Sequence, residues 1–218
     1  MRRFSITAAS LVAGLMAAAV AQAADNRCGY GDFVSFAQDG VAVYNVSPPG
    51  QGRTYFHNNG EGCPDAPSCR LKSYLVVQDE VLVSKVENGW ACAWYGRGDR
   101  HTVGWLKKAD LVKSAVAPSG EGDWLGDWRF GDNQITIKRT KKGLRATGDA
   151  TWTGPVSQHS GAFDGLLEVK GVNAEYADPE GTEPFCDVRM RRVGKHMVVA
   201  DSGSCGGASV SFDGVYAR

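Results

Sequence analysis

Apolar and polar residues alternate with period two in short runs along most of the chain: Asp79–Val83, Ala91–Tyr95, Gln134–Lys138, Leu166–Val172, Asp187–Met190 and Ser209–Phe212. Alternation of this kind belongs to β-strands with one buried face. Gly, Asn and Asp interrupt the runs at roughly the 8–12-residue spacing of sandwiches and small barrels. The one helical window of the mature chain is Lys107–Lys113, a turn or two at most. The small, unpatterned segment 114–122 (Ser-Ala-Val-Ala-Pro-Ser-Gly-Glu-Gly) reads as a linker. The pattern therefore predicts an all-β chain with one small barrel over 24–113 and a second small antiparallel β-barrel over 123–218.

Residues 1–23 break this pattern. Arg2 and Arg3 precede an Ala- and Leu-rich stretch from Phe4 to Val20, and Ala21-Gln22-Ala23 supplies the small residues a signal peptidase needs. A cleaved signal peptide is expected, and hence a periplasmic or secreted protein. The stretch is short for a membrane span of ~20 residues, and no later segment is apolar enough to cross a bilayer, so no stable membrane insertion is expected after cleavage. Export gives the six cysteines their meaning, because an oxidising compartment lets an even number pair. Four precede the linker (Cys28, Cys63, Cys69, Cys92) and two follow it (Cys186, Cys205). Cys186 and Cys205 flank one hairpin and are expected to pair with each other. No Cys-x-x-Cys and no Cys/His cluster at zinc spacing occurs, so no metal is called for.

Charge narrows the partners. The formal net charge is zero, with 24 Lys+Arg against 24 Asp+Glu, which leaves no cationic excess to displace phosphate counterions and argues against nucleic acid. Cations do recur at Lys138, Arg139, Lys141, Lys142 and Arg145, and at Arg189, Arg191, Arg192 and Lys195. They read as a solvated outer face, or as a cationic face for an anionic partner if adjacent strands carry them.

Several strings of the first half occur together: Arg53-Thr-Tyr-Phe-His57, Arg70-Leu-Lys-Ser-Tyr-Leu-Val76, Asp79-Glu-Val-Leu-Val83, Asn88-Gly-Trp90, Ala91-Cys-Ala-Trp-Tyr95 and Val103-Gly-Trp-Leu-Lys-Lys-Ala-Asp-Leu111. In combination they resemble the bacterial SH3-like (SH3b) domain, with Gln78 where that family usually has Gly before the Asp. The resemblance covers residues ~53–113. It implies an SH3-like small barrel, and a role in binding cell-wall peptide or an envelope protein. Tyr55, Tyr74, Trp90, Trp94 and Trp105 are the candidate ligand contacts, since aromatics offer rigid contact area at low entropic cost. Strand alternation puts Ala91, Ala93 and Tyr95 on one face and Trp90, Cys92 and Trp94 on the other. If the alanines face the barrel core, the tryptophans need a cover or a ligand. Segment 24–50, with Phe33, Phe36, Val41, Val43 and Tyr44, could cover them, pinned by a Cys28–Cys92 bridge that would leave Cys63 to pair with Cys69. Four cysteines allow three connectivities, and the spacing does not choose among them. Arg97-Gly98-Asp99 matches an adhesion tripeptide, but it falls in a hairpin loop where Gly and Asp are expected anyway.

The second half opens with Trp124-Leu-Gly-Asp-Trp128, and its first-strand Gly-x-Trp is similar to that of small lipocalin- or avidin-like barrels. That resemblance implies a barrel able to hold one small ligand. Asp201-Ser-Gly-Ser-Cys-Gly-Gly207 is loop material that could line its mouth.

Nothing in the chain assembles a catalytic motif. His57, His101, His159 and His196 neither follow metal spacing nor neighbour a nucleophile elbow, and every Cys is needed for pairing. The expected function is a non-catalytic binding or adaptor protein of the cell envelope without a cofactor. The alternatives are a small-ligand carrier or sensor working through the second barrel, and an inhibitor or immunity protein that blocks a wall-degrading enzyme with its stapled loop.

Overall fold

A computed structural model describes residues 27–218 apart from Gln51, Gly98, Asp99, Pro118 and Ser119. The expected signal peptide and most of the adhesion-like tripeptide lie outside the described residues. The fold is all-β with one short helix, and its strands form two antiparallel sheets that curl into a half-barrel and a near-barrel.

The smaller sheet has seven strands: β1 (Ala42–Val46), β2 (Arg53–His57), β3 (Arg70–Val76), β4 (Glu80–Glu87), β5 (Trp90–Arg97), β6 (Arg100–Lys107) and β7 (Leu111–Lys113). Their order across the sheet is β3-β2-β6-β5-β4-β1-β7. Asn88 and Gly89 join β4 to β5 with φ of 48° and 81°, the two-residue turn whose backbone twist matches its strands. The concave face is filled by Val46, Phe56, Leu75, Val81, Val83, Ala91, Ala93 and Leu106. Small Ala91 and Ala93 suit a central strand of a tightly curved sheet. Helical character is absent from Lys107–Lys113 apart from a 3-10 turn at Lys108–Asp110, because β6 and β7 consume the residues on either side.

The helix lies elsewhere. α1 (Tyr30–Asp39) follows Cys28, and the Gly29 N–H donates to Asp32 Oδ2 at 2.8 Å, satisfying one amide at the helix start. Phe33, Val34 and Ala37 form its buried stripe. The helix packs on the convex face of the smaller sheet, with Cys28 bonded to Cys92 beneath it.

The larger sheet contains β8 (Gly126–Phe130), β9 (Asn133–Thr140), β10 (Gly143–Thr153), β11 (Gln158–Leu166), β12 (Glu168–Lys170), β13 (Asn173–Ala177), β14 (Asp187–Val193), β15 (His196–Asp201) and β16 (Gly214–Ala217), in the order β11-β10-β9-β8-β16-β15-β14-β13-β12. Leu167 separates β11 from β12, so the run Leu166–Val172 is not one strand. Ser209–Phe212 is irregular, and Phe212 plugs the barrel rather than pairing in the sheet. The two ends of the sheet meet through aromatic packing. Phe163 on β11 lies 4.9 Å, centroid to centroid, from both Tyr176 on β13 and Phe212. Gly148 makes this possible, since a Cβ there would sit 2.1 Å from the Phe163 ring. The Cys186–Cys205 bond and a Gly161–Gly206 backbone bridge hold the last loop against β11.

One core joins the two sheets. Phe33, Val34 and Ala37 of the helix, Trp94 and Trp105 of the smaller sheet, and Val193, Val198, Ala200 and Val215 of the larger one form a single buried cluster. Strands β5 and β15 are consequently buried on both faces, from Trp90 to Trp94 and from His196 to Ala200.

Candidate site at the open flank of the smaller sheet

Strand β2 matches β6 at one register position only, His57 opposite Trp105, and the strands splay beyond it. The gap is a cleft of about 460 Å³ whose walls include Arg53, Thr54, Tyr55, Arg70, Lys107 and Asp110. Pro67 closes one end, on an insertion stapled by Cys63–Cys69.

Strand alternation decides what the cleft presents. Phe56 and Leu75 turn into the core, so Arg53 and Tyr55 on β2, and Arg70, Lys72, Tyr74 and Val76 on β3, face outward. Tyr55 and Tyr74 are register partners with ring centroids 5.8 Å apart. The Arg53 guanidinium carbon stands 4.4 Å from the Tyr74 ring, and that of Arg70 stands 4.7 Å from the Tyr55 ring. The result is an Arg–Tyr–Tyr–Arg ladder in which each guanidinium lies over an aromatic face. Arg53, Arg70, Lys72 and Lys107 have no ion-pair partner among the described residues. The one carboxylate of the cleft, Asp110, accepts the Thr54 hydroxyl at 2.6 Å. The cleft is therefore electropositive and aromatic, suited to carboxylates carried on a flat or extended ligand.

Of the five aromatics expected to touch a ligand, this site holds Tyr55 and Tyr74. The three tryptophans are corrected to buried positions. Trp105 is 2% exposed in the shared core. Trp94 stands edge-on to His196 of the larger sheet at 5.3 Å, under the cover that α1 and β15 supply. Trp90 packs on His57 at 4.5 Å and donates its indole N–H to Asp65 of the insertion at 2.9 Å. Sequence reasoning did not single out Arg53, Arg70, Lys72, Lys107 or Asp110. The signal was present as the period-two strings Arg53-x-Tyr55 and Arg70-x-Lys72-x-Tyr74.

The other candidate regions are engaged internally. Arg139 pairs with Glu121 at 2.6 Å, and Arg145 makes a forked pair with Asp164, both bonds 2.7 Å, which holds the Asp164 carboxyl below its ordinary range. The loop 201–207 is tied down: Asp201 accepts the N–H groups of Gly203 and Phe212. Trp124, Trp128, Phe163, Phe212 and Tyr216 occupy the barrel interior. Two guanidinium groups lie over the Trp128 ring, Arg192 at 4.3 Å and Arg218 at 4.7 Å. Burial, with Arg218 nearby, lowers the pKa of Arg192 to about 10.

Of the four histidines, His196 is buried between the sheets, where desolvation first and neighbouring Lys195 second lower its pKa to about 4. His57 points its Nδ1 at the Pro64 carbonyl, and His159 at that of Ala208. No three His, Cys, Asp or Glu side chains gather at metal-binding distance among the described residues. No described helix is long and apolar enough to cross a membrane. No family model, curated protein or solved structure matches the chain.

Proposed function

We propose that the protein is a non-catalytic binding or adaptor protein of the cell envelope, and that its smaller sheet holds an anionic peptide, from the cell wall or from an envelope protein, in the β2–β6 cleft. The observation carrying this reading is the Arg53–Tyr74–Tyr55–Arg70 ladder beside a cleft whose cations have no carboxylate partner among the described residues. The three bonded cysteine pairs fit an oxidising compartment outside the cytoplasm. Co-sedimentation with purified peptidoglycan, and capture of extracted envelope proteins, test the two sources. Binding should weaken at least tenfold in Tyr55→Ala and in Arg70→Ala. Binding unchanged in both variants would remove the cleft as the site.

The carrier reading finds its barrel interior occupied by aromatic side chains. One observation favours the inhibitor reading. The β10–β11 turn projects Val156, 97% exposed, from a hairpin braced by the disulfide-held loop. A braced apolar tip is preorganised for insertion into another protein's cleft. Lysozyme assays with the whole chain and with Val156→Asp decide it: inhibition lost in the variant supports this role, and no inhibition by the parent ends it.

A further inference from the structure

Strand β3 ends the smaller sheet, and no strand of the described residues pairs with its outer side. An edge of seven residues is long enough to template another strand, which proteins ordinarily prevent by shortening, charging or covering it. The opposite edge of the sheet, β7, has three residues. On β3 the defence is different. Arg70 and Lys72 are exposed at one end, while Tyr74, Val76 and the following Val77 expose 43–48% of their surface at the other. Asp79 takes the Val76 N–H at 2.8 Å and so caps that end, leaving the backbone from Arg70 to Leu75 as the open stretch. On the inner face, half-buried Leu71 lies at the rim of the core.

We infer that the outer edge of β3, which faces away from the β2–β6 cleft and is a site of its own, receives an extended acidic segment of an envelope protein as an eighth strand. Main-chain hydrogen bonds to the β3 edge supply the affinity, and alternate side chains supply the specificity. The added strand places one set of side chains on the outer face, beside Arg70 and Lys72, and the other set toward Leu71. Cross-strand neighbours of opposite charge are favourable, so the outer set is acidic and the inner set apolar. Charge complementarity sets the partner: among the described residues Arg53, Arg70 and Lys72 have no carboxylate partner, and the ligand brings one. A cell-wall stem peptide, short and built partly of D-residues, cannot propagate such a ladder, so the long edge favours a protein segment.

The probe is a ten-residue L-peptide alternating Glu and Val, fluorescently labelled and titrated with the full mature chain by anisotropy. Two derivatives carry N-methyl groups on every Glu or on every Val. In a strand these two sets of amides point to opposite sides, so one derivative should lose at least tenfold in affinity while the other binds like the parent. Arg70→Glu with Lys72→Glu should weaken the Glu–Val peptide at least tenfold and favour a Lys–Val peptide instead. Equal behaviour of the two N-methyl peptides overturns strand addition. So does binding of a soluble muropeptide without binding of the Glu–Val peptide, although the cleft reading then stands. If neither peptide binds, and nothing is captured from peptidoglycan or envelope extracts, both readings fall.

Discussion

On the larger sheet Arg139, Arg145 and Lys170 each meet a carboxylate at 2.6–2.7 Å, and the ends of the sheet are drawn together by Phe163, Tyr176 and Phe212. On the smaller sheet Arg53 and Arg70 lie on tyrosine rings beside a cleft, and β3 keeps one side open. The larger sheet comes near to closure without a β11–β12 ladder among the described residues, and its filled interior serves stability. A sheet left open retains unmatched backbone and charge, which a ligand can match. Under the proposed function, the larger sheet is the scaffold and the smaller sheet's flank the recognition surface. The contrast predicts where truncation should cost stability and where it should cost binding.

The largest stability effect is expected inside the near-barrel. Trp128 is fully buried, donates its indole N–H to the Trp124 carbonyl and carries the guanidinium groups of Arg192 and Arg218 over its ring. Trp128→Ala should cost about 4 kcal/mol, the usual scale for emptying a large aromatic site. Denaturant titration measures it, and a loss below about 1 kcal/mol would show that the barrel collapses around the gap. The two bridges of the smaller sheet extend the comparison. Cys28–Cys92 spans a sequence separation of 64 and Cys63–Cys69 one of 6. Loop-closure entropy gives about 4 kcal/mol for the first and about 2 kcal/mol for the second. Paired Cys→Ser variants should keep that order in unfolding experiments. The reverse order would mean that packing around α1, rather than the cross-link, holds the cover on the tryptophans.

How far these regions were legible follows from what each strand touches. The alternation of β5 shows that Ala91 and Ala93 belong to one face and Trp90, Cys92 and Trp94 to another that needs a cover. Half of that cover is α1, whose stripe of Phe33, Val34 and Ala37 spans fewer than three turns and is flanked by Gly31 and Gly40, too short and too glycine-rich for periodicity to stand out. The other half is Val193, Val198, Ala200 and Val215, which meet the helix only through tertiary docking. Even so, Met197-Val-Val-Ala200 is a continuous apolar run, the sign of a strand buried on both sides. At the site, attention to aromatics selected Tyr55 and Tyr74 together with three core tryptophans. Composition does not distinguish these groups, whereas the cation two residues before each tyrosine, Arg53 before Tyr55 and Lys72 before Tyr74, marks the exposed pair.

Between the two sheets lies His196, and acid should act there. In the fold its pKa is lowered from 6.5 to about 4, chiefly by burial. The unfolded chain therefore binds this proton before the folded chain does. Its contribution is complete above about pH 6.5, declines as pH falls toward 4 and is flat below that, for a total of roughly 3 kcal/mol. Asp213 and Glu175, whose pKa values burial raises, oppose this slope, so the useful quantity is the difference between the parent and His196→Gln. Measured at pH 7.5, 6.0 and 4.5, the unfolding free energy of the parent should fall relative to that of His196→Gln as the medium is acidified. Parallel curves would place the histidine in contact with water.

The smallest stability effect, and the sharpest test of the contrast, belongs to Tyr55. Its ring is half-buried and packs on Tyr74 and Arg70 at the outer face, while its neighbour Phe56 fills the core. Tyr55→Ala removes a ladder rung without opening an interior cavity, so unfolding should shift by about 1 kcal/mol or less. Phe56→Ala, one residue away, should cost about 3 kcal/mol or more, because its ring is fully buried. Binding should reverse the ranking: Tyr55→Ala loses affinity for the anionic peptide at least tenfold, whereas Phe56→Ala, assayed under conditions where it remains folded, binds within a few-fold of the parent. Two adjacent residues then report separately on the face that holds the fold and the face that meets the ligand. If Tyr55→Ala and Arg70→Ala both bind normally, the β2–β6 cleft is an unsealed gap rather than a recognition surface.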